Sequence, residues 1–300
     1  GFYYSAYDAP EKGKEYSSKN EVHKVYYHKI GTPQGQDVLF YQNPAHPLRF
    51  YSVSLNKEET MMFLHESGAG SGMNLYVRDL RVPDAQFIQM TSNMDLQYSP
   101  IETVGDNIYL LTNDGAPRGR VMVADIHKPG FKDWKELIGE SKGVLEDVQF
   151  ADDKLVLTYS QDASTHLYVY SLEGKELNEI KLPTVGRAGF SGKRGQKECF
   201  YSFASFTVPG TIYQYDMAQN KSTVYTEPKV KFDLGKYTTE QVFFISKDGT
   251  HVPMFLTYRK GLKHNGKNPT LIYGYGGFNI SLSPSFSSMR IPFLENGGIY

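Results

Sequence analysis

The sequence predicts a mainly β fold: about five short antiparallel sheets in tandem, followed by the opening strands of an α/β unit. Three observations carry this. One strand pattern recurs at a near-constant interval. The segments between are punctuated by Gly, Asp, Asn and Pro. The chain changes character after residue 228, where the recurrence stops.

The recurring pattern is an alternating aromatic or aliphatic run that ends in a polar residue and then an apolar one. Its instances are Val25-Tyr26-Tyr27-His28-Lys29-Ile30, Leu75-Tyr76-Val77-Arg78-Asp79-Leu80, Val121-Met122-Val123-Ala124-Asp125-Ile126, Leu167-Tyr168-Val169-Tyr170-Ser171-Leu172 and Ile212-Tyr213-Gln214-Tyr215-Asp216-Met217. They end at residues 30, 80, 126, 172 and 217, at intervals of 50, 46, 46 and 45. A period in the mid-forties with several short strands per unit is a β-propeller spacing rather than a helical solenoid. The composition agrees: 23 Tyr and 18 Phe against a single Trp suit strands.

Each unit fills in alike. In residues 94–141, strands are expected at Leu96–Glu102, Ile108–Thr112, Val121–Ile126 and Lys135–Ile138. Turns fall at Gly105-Asp106-Asn107, Asp114-Gly115 and Pro129-Gly130, as a four-stranded meander requires. The unit at 144–182 repeats the order, with its first turn at Ala151–Lys154. The first unit lacks its innermost strand, so the ring is expected to be incomplete. The sequence opens Gly1-Phe2-Tyr3-Tyr4 without Met and stops at Gly298-Ile299-Tyr300, and it reads as a window of a longer protein.

Residues 229–240 read as a charged linker. Gln241–Ser246 and His251–Tyr258 then form a hairpin around Lys247-Asp248-Gly249-Thr250. A short buried-type strand, Thr270-Leu271-Ile272-Tyr273, runs into Gly274-Tyr275-Gly276-Gly277-Phe278-Asn279, and Ser288–Glu295 forms a short helix stopped by Asn296-Gly297-Gly298. Strand, Gly-rich loop and helix open an α/β unit. The expected domains are therefore 1–228 and 229–300.

Glycines at a strand end let backbone approach a ligand closely. The loop lacks the Lys-Ser/Thr of a P-loop and the spacing of a dinucleotide fingerprint. From chemistry alone, one side of an oxyanion hole, with the Tyr275 phenol as donor, competes evenly with a tight turn carrying two packing aromatics.

The segment Tyr273-Gly274-Tyr275-Gly276-Gly277-Phe278-Asn279-Ile280-Ser281 resembles the opening of the hydrolase domain of prolyl oligopeptidases. Lys247–Thr250, Val252-Pro253-Met254-Phe255, and Phe203-Ala204-Ser205-Phe206 followed by Pro209–Tyr213 extend the resemblance, which covers essentially the whole chain and is closest from residue 186 onward. The resemblance implies a seven-bladed β-propeller, with about five blades in this chain, followed by the first β-strands of an α/β-hydrolase domain. It implies a serine endopeptidase that cleaves short peptides on the carboxyl side of proline through an acyl-enzyme, behind a propeller that excludes larger chains. Tyr275 is similar to the tyrosine that stabilises the oxyanion, and Phe278 to the phenylalanine lining the proline pocket. The resemblance also implies that an aromatic near Tyr3 is similar to a propeller residue facing the substrate. The Ser, Asp and His of the triad are expected downstream of these residues, so the window alone is expected to be inactive. Gly-Gly-Phe-Asn separates this branch from related oligopeptidases that cut after basic residues. A non-catalytic propeller binding module and an oligopeptidase of different specificity are the alternatives.

Other motifs carry less. Gly139-Glu140-Ser141-Lys142-Gly143 matches G-x-S-x-G, but it lies upstream of the oxyanion loop with no strand feeding a helix, so Ser141 is expected in an exposed turn. His65-Glu66 lacks the second His of a zinc helix, and His23 and His28 flank one strand on opposite faces. No metal or cofactor is expected. Gly68–Gly72 reads as a hairpin loop, and Arg118, Arg120, Lys193 and Arg194 as solvated turn charges. Asn220-Lys221-Ser222 and Asn279-Ile280-Ser281 fit glycosylation sequons, which matter only in a secreted protein. With 32 basic and 33 acidic residues, no nucleic-acid or membrane-surface footprint is expected, and no apolar run reaches 18 residues. The partners expected are short proline-containing peptides, with a monomeric parent. One cysteine, Cys199, excludes an internal disulfide and leaves cytoplasm and periplasm equally open.

Overall fold

The computed structural model describes residues 1–278 and 280–300. These residues form two compact units, Gly1–Glu140 and Ser141–Tyr300. Strands dominate, because period-2 runs rich in Tyr, Phe, Val and Leu are each cut by a turn residue.

The first unit holds three antiparallel meanders. The first is β1 (Phe2–Ala6), β2 (Lys24–His28) and β3 (Val38–Gln42), three strands with the recurring motif on the second of them. The second is β4 (Phe50–Leu55), β5 (Met61–Ser67), β6 (Met73–Asp79) and the two-residue β7 (Ile88–Gln89). The third is β8 (Tyr98–Val104), β9 (Asn107–Thr112), β10 (Arg120–Asp125) and β11 (Lys135–Ile138). The motif lies on the third strand of each four-stranded sheet. In the first sheet, which has three strands, the motif lies on the second.

The second unit continues with β12 (Val144–Ala151), β13 (Lys154–Gln161), β14 (Ser164–Ser171) and β15 (Glu176–Ile180), then β16 (Arg187–Ser191), β17 (Glu198–Ala204), β18 (Thr211–Asp216) and β19 (Lys221–Thr226). A two-stranded hairpin follows, β20 (Tyr237–Ile245) and β21 (His251–Arg259). A 3-10 turn at Ser288–Arg290 leads into α1 (Ile291–Glu295), which together occupy the helix position expected from sequence.

In three of the four-stranded sheets the second strand is covered on both faces, whereas β17 alternates, with Cys199, Tyr201 and Phe203 buried and Ser202 exposed. Met61, Met62, Phe63 and Leu64 are buried in succession on β5, and Leu155, Val156 and Leu157 on β13. Unbroken apolar runs suit such central strands better than alternation does. The packing between sheets is local. Met61, Phe63, Leu75 and Val77 join Tyr98, Ile108, Leu110 and Trp134 in one cluster of the first unit, and Val156, Val169 and Ile180 join Phe190, Tyr201 and Tyr215 in one cluster of the second. Register shifts interrupt the outer pairings β2–β3, β10–β11, β14–β15 and β18–β19. Such bulges twist an outer strand away from further pairing. The lone Cys199 is fully buried on β17, and burial pushes its thiol pKa up.

Three expectations need correction. Residues 229–240 are not wholly linker: β20 begins at Tyr237, whose ring is buried with Ile291 and Leu294. Thr270–Tyr273 is not a strand. Only Thr270 makes a β-bridge, to Ile299, and Leu271, Ile272 and Tyr273 are exposed. A buried parallel strand needs pairing on both sides and cover on both faces, and here it meets a single bridge partner. Arg120 is not a free turn charge either: it is largely buried and pairs with Glu136 at 2.9 Å.

Glu66, set aside in the sequence, is the charged centre of the second sheet. Its register neighbours are Tyr51 on β4 and Asn74 on β6. The Tyr51 hydroxyl donates to Oε1 at 3.0 Å, Asn74 Nδ2 and the Tyr76 hydroxyl donate to Oε2 at 3.0 and 2.9 Å, and Arg49 pairs at 2.9 Å. Burial pushes the Glu66 pKa up, but these donors outweigh it and hold the carboxyl below its ordinary 4.5. A depressed folded-state pKa contributes stability that is complete above the unfolded value and fades as pH falls through the folded one. Glu66→Gln is therefore expected to cost about 3 kcal/mol near neutrality and to flatten the loss of stability on acidification below about pH 4.5. Urea unfolding at a series of pH values checks both.

Candidate functional site

The glycine-rich loop hangs from one bridge. Leu271 N donates to Ile299 O at 2.9 Å, and Ile299 N donates to Pro269 O at 2.8 Å. Residues 271–276 form no helix or strand, and Ile280 N donates to Gly277 O at 3.1 Å. Asn279 lies outside the described residues. No heavy atom stands within 4 Å of where a side chain on Gly274 or Gly276 would project, so both glycines leave open space on the loop.

The two site residues expected from sequence share this loop. Tyr275 is 46% exposed, and its hydroxyl lies 3.4 Å from the point where a Cβ on Gly277 would stand, so the ring curls back over that glycine. Phe278 is 92% exposed and sits at φ 55°. A bulky residue in the left-handed region is uncommon and costs about 1–2 kcal/mol. Strain of this kind collects at ligand clamps and catalytic loops. Here it coincides with an aromatic ring aimed at solvent. The loop thus offers one phenol donor and one flat apolar face, on a backbone stripped of neighbouring side chains. The apolar residues flanking it in the chain are also uncovered: Leu271, Ile272, Tyr273 and Ile280 are all exposed. Tyr3 lies on β1 of the first unit, half-buried against Tyr27 and Phe40 at ring separations of 5.0 and 4.9 Å.

The remaining candidates do not form an active centre. Ser141 is exposed between β11 and β12, where its hydroxyl reaches Gly143 O at 3.4 Å, and the next element is a strand rather than a helix. Gly68–Gly72 joins β5 to β6. A Ser–His contact that sequence reasoning missed does occur: Ser54 Oγ lies 2.9 Å from His65 Nε2, and burial pushes the His65 pKa down. Among the described residues no carboxylate completes a triad at His65. His28 Nδ1 contacts Asp37 at 2.7 Å, and the Tyr4 hydroxyl donates to the same carboxylate at 2.7 Å. Burial alone would raise the Asp37 pKa, but those two partners hold it below its ordinary value. Sequence gave no signal for either pair, because cross-strand register brings them together. Among the described residues no group of three His, Cys, Asp or Glu side chains converges as a metal site, and no helix is long and apolar enough to cross a membrane.

A family model described as the N-terminal beta-propeller domain of prolyl oligopeptidase matches residues 1–228. The prolyl endopeptidase of Elizabethkingia meningoseptica is 40% identical over 301 residues, spanning 100% of this chain and 42% of that protein. Prolyl oligopeptidase A of Galerina marginata is 30% identical over 314 residues, again 100% of this chain and 42% of the relative. A solved structure from a structural and mechanistic study of two prolyl endopeptidases matches with a TM-score of 0.88 at 33% identity, covering 100% of this chain and 44% of that one. Prolyl oligopeptidase B from Galerina marginata, bound to a 35mer hydrolysis and macrocyclization substrate, matches with a TM-score of 0.89 at 28% identity, covering 100% of this chain and 42% of that one. The chain thus spans about two-fifths of the length of these relatives.

The strain at Phe278 makes its own prediction. Phe278→Gly is expected to leave stability unchanged or raise it by about 1 kcal/mol, since glycine adopts positive φ freely. A clear loss in chemical denaturation would mean that the ring is packed rather than displayed.

Proposed function

The chain belongs to the prolyl oligopeptidase family, and on that premise we propose that it forms part of a serine endopeptidase that cleaves short peptides on the carboxyl side of proline. In this proposal residues 1–228 are blades of the gating propeller, and residues 229–300 open the α/β-hydrolase domain. The observation that carries the reading is the loop Gly274–Phe278, with a phenol donor and a displayed aromatic ring, in a chain similar along its whole length to prolyl endopeptidases.

The chemistry divides as follows. A serine supplied outside these residues attacks the carbonyl that follows the proline ring, assisted by a histidine and an aspartate, and forms an acyl-enzyme. The Tyr275 hydroxyl donates to the oxygen that becomes negative in the tetrahedral intermediate. A neutral donor fixed in advance stabilises charge that exists only in the transition state, which is why it acts on kcat. Phe278 lies flat against the pyrrolidine ring, an apolar surface that a basic side chain cannot use. The blades restrict access to peptides short enough to pass them.

In the full-length protein, Tyr275→Phe is expected to lower kcat by roughly 10²–10³ with little change in KM or in melting temperature. An unchanged kcat on a chromogenic prolyl peptide would remove Tyr275 from the reaction. Phe278→Ala is expected to reduce kcat/KM for proline reporters more than for alanine reporters. A fluorophosphonate probe should add once to the full-length protein. No adduct and no hydrolysis of either proline or arginine reporters would favour a binding module instead.

A further inference from the structure

One family motif, Phe203-Ala204-Ser205-Phe206, has no part in the chemistry above. Ser205 is fully buried at the end of β17, and it builds a tight turn. Its N–H donates to Val208 O at 3.0 Å, while its Oγ accepts from Thr207 N at 3.2 Å and from Val208 N at 3.1 Å. Side-chain-to-backbone bonds of this kind hold a turn in one shape. Phe206 lies within this turn. Its ring meets Phe255 of β21 at 5.8 Å and Tyr300 at 5.6 Å, the latter edge to face. Tyr300 is itself fixed, because it exchanges backbone hydrogen bonds with Thr257 of β21 at 2.7 and 2.9 Å.

Arg290 completes the cluster. Its guanidinium carbon stands 4.5 Å from the Tyr300 ring centre and 5.3 Å from that of Phe206. Both distances are within cation–π range. The same guanidinium donates through Nη1 to Ser285 O, on the segment that descends from the glycine-rich loop. A flat guanidinium can contact two rings and a carbonyl together, which a lysine ammonium does less well.

We propose that Arg290 is a positioning residue: it fastens the descending stem of the glycine-rich loop to the Ser205–Val208 turn of the last blade, so that Tyr275 and Phe278 take their places from the propeller. The inference deepens the peptidase reading and rests on it for its catalytic consequence, but the fastening itself is measurable without turnover.

The experiment is hydrogen–deuterium exchange on the full-length protein, wild type against Arg290→Met, Arg290→Lys and Phe206→Leu, together with steady-state kinetics on a prolyl reporter peptide. Arg290→Met is expected to speed exchange in residues 271–287 roughly ten-fold while leaving β12–β14 unchanged. Phe206→Leu is expected to do the same, and the double variant to add little, because both remove one shared contact. Arg290→Lys is expected to restore part of the protection. Kinetically, Arg290→Met should lower kcat with a smaller effect on KM. Unchanged exchange in 271–287, or an equal rise across β12–β14, would overturn the proposal. If the wild type hydrolyses no prolyl peptide, the peptidase reading fails, and the exchange data still decide whether the fastening exists.

Discussion

Everything in this chain depends on backbone pairing between strands adjacent in sequence. Each sheet is a meander of strands consecutive in the chain, most of them joined by short turns although residues 7–23 separate β1 from β2, so its hydrogen bonds form between near neighbours. The meander alone cannot bury its central strand, because β5 and β13 are apolar on both faces. Each sheet therefore needs a neighbour, and the large clusters in both units span two consecutive sheets rather than filling one. That requirement explains why a period of about 46 residues is visible at all: the same burial problem is solved repeatedly with similar side chains.

The legible part of the fold is the part set by local chemistry. The recurring motif, the Asp-Gly turn at 248–249 and the helix near residue 291 could be read because their signals lie within a few residues of one another. Glu66 could not. Its donors come from residues 49, 51, 74 and 76, and only the register that sets Tyr51 and Asn74 opposite it makes a buried carboxylate tolerable. The β13–β14 turn is a second case, where Asp162 and Ala163 both take positive φ without the usual glycine. Thr270–Tyr273 failed for the opposite reason. Its sequence is that of a buried strand, but a strand is defined by its partners, and here only Thr270 has one.

The candidate site was legible as a loop and not as a geometry. Glycines around Tyr275 announced a close backbone approach, and the resemblance supplied roles for Tyr275 and Phe278. The left-handed backbone at Phe278 carried no signal, since phenylalanine is among the last residues a turn rule would place there. Nor did the sequence tie Arg290 to Phe206, 84 positions apart. That link needed the turn built by Ser205 and the return of the chain to Thr257.

The seclusion of Cys199 has a practical side. A thiol sealed inside β17, with its thiolate disfavoured by burial, is a poor target for maleimides and for peroxide. A cysteine placed deliberately on an exposed turn would be the reactive one. Within these 300 residues, paired dyes could then be attached at chosen positions without first removing Cys199, and distances followed one molecule at a time.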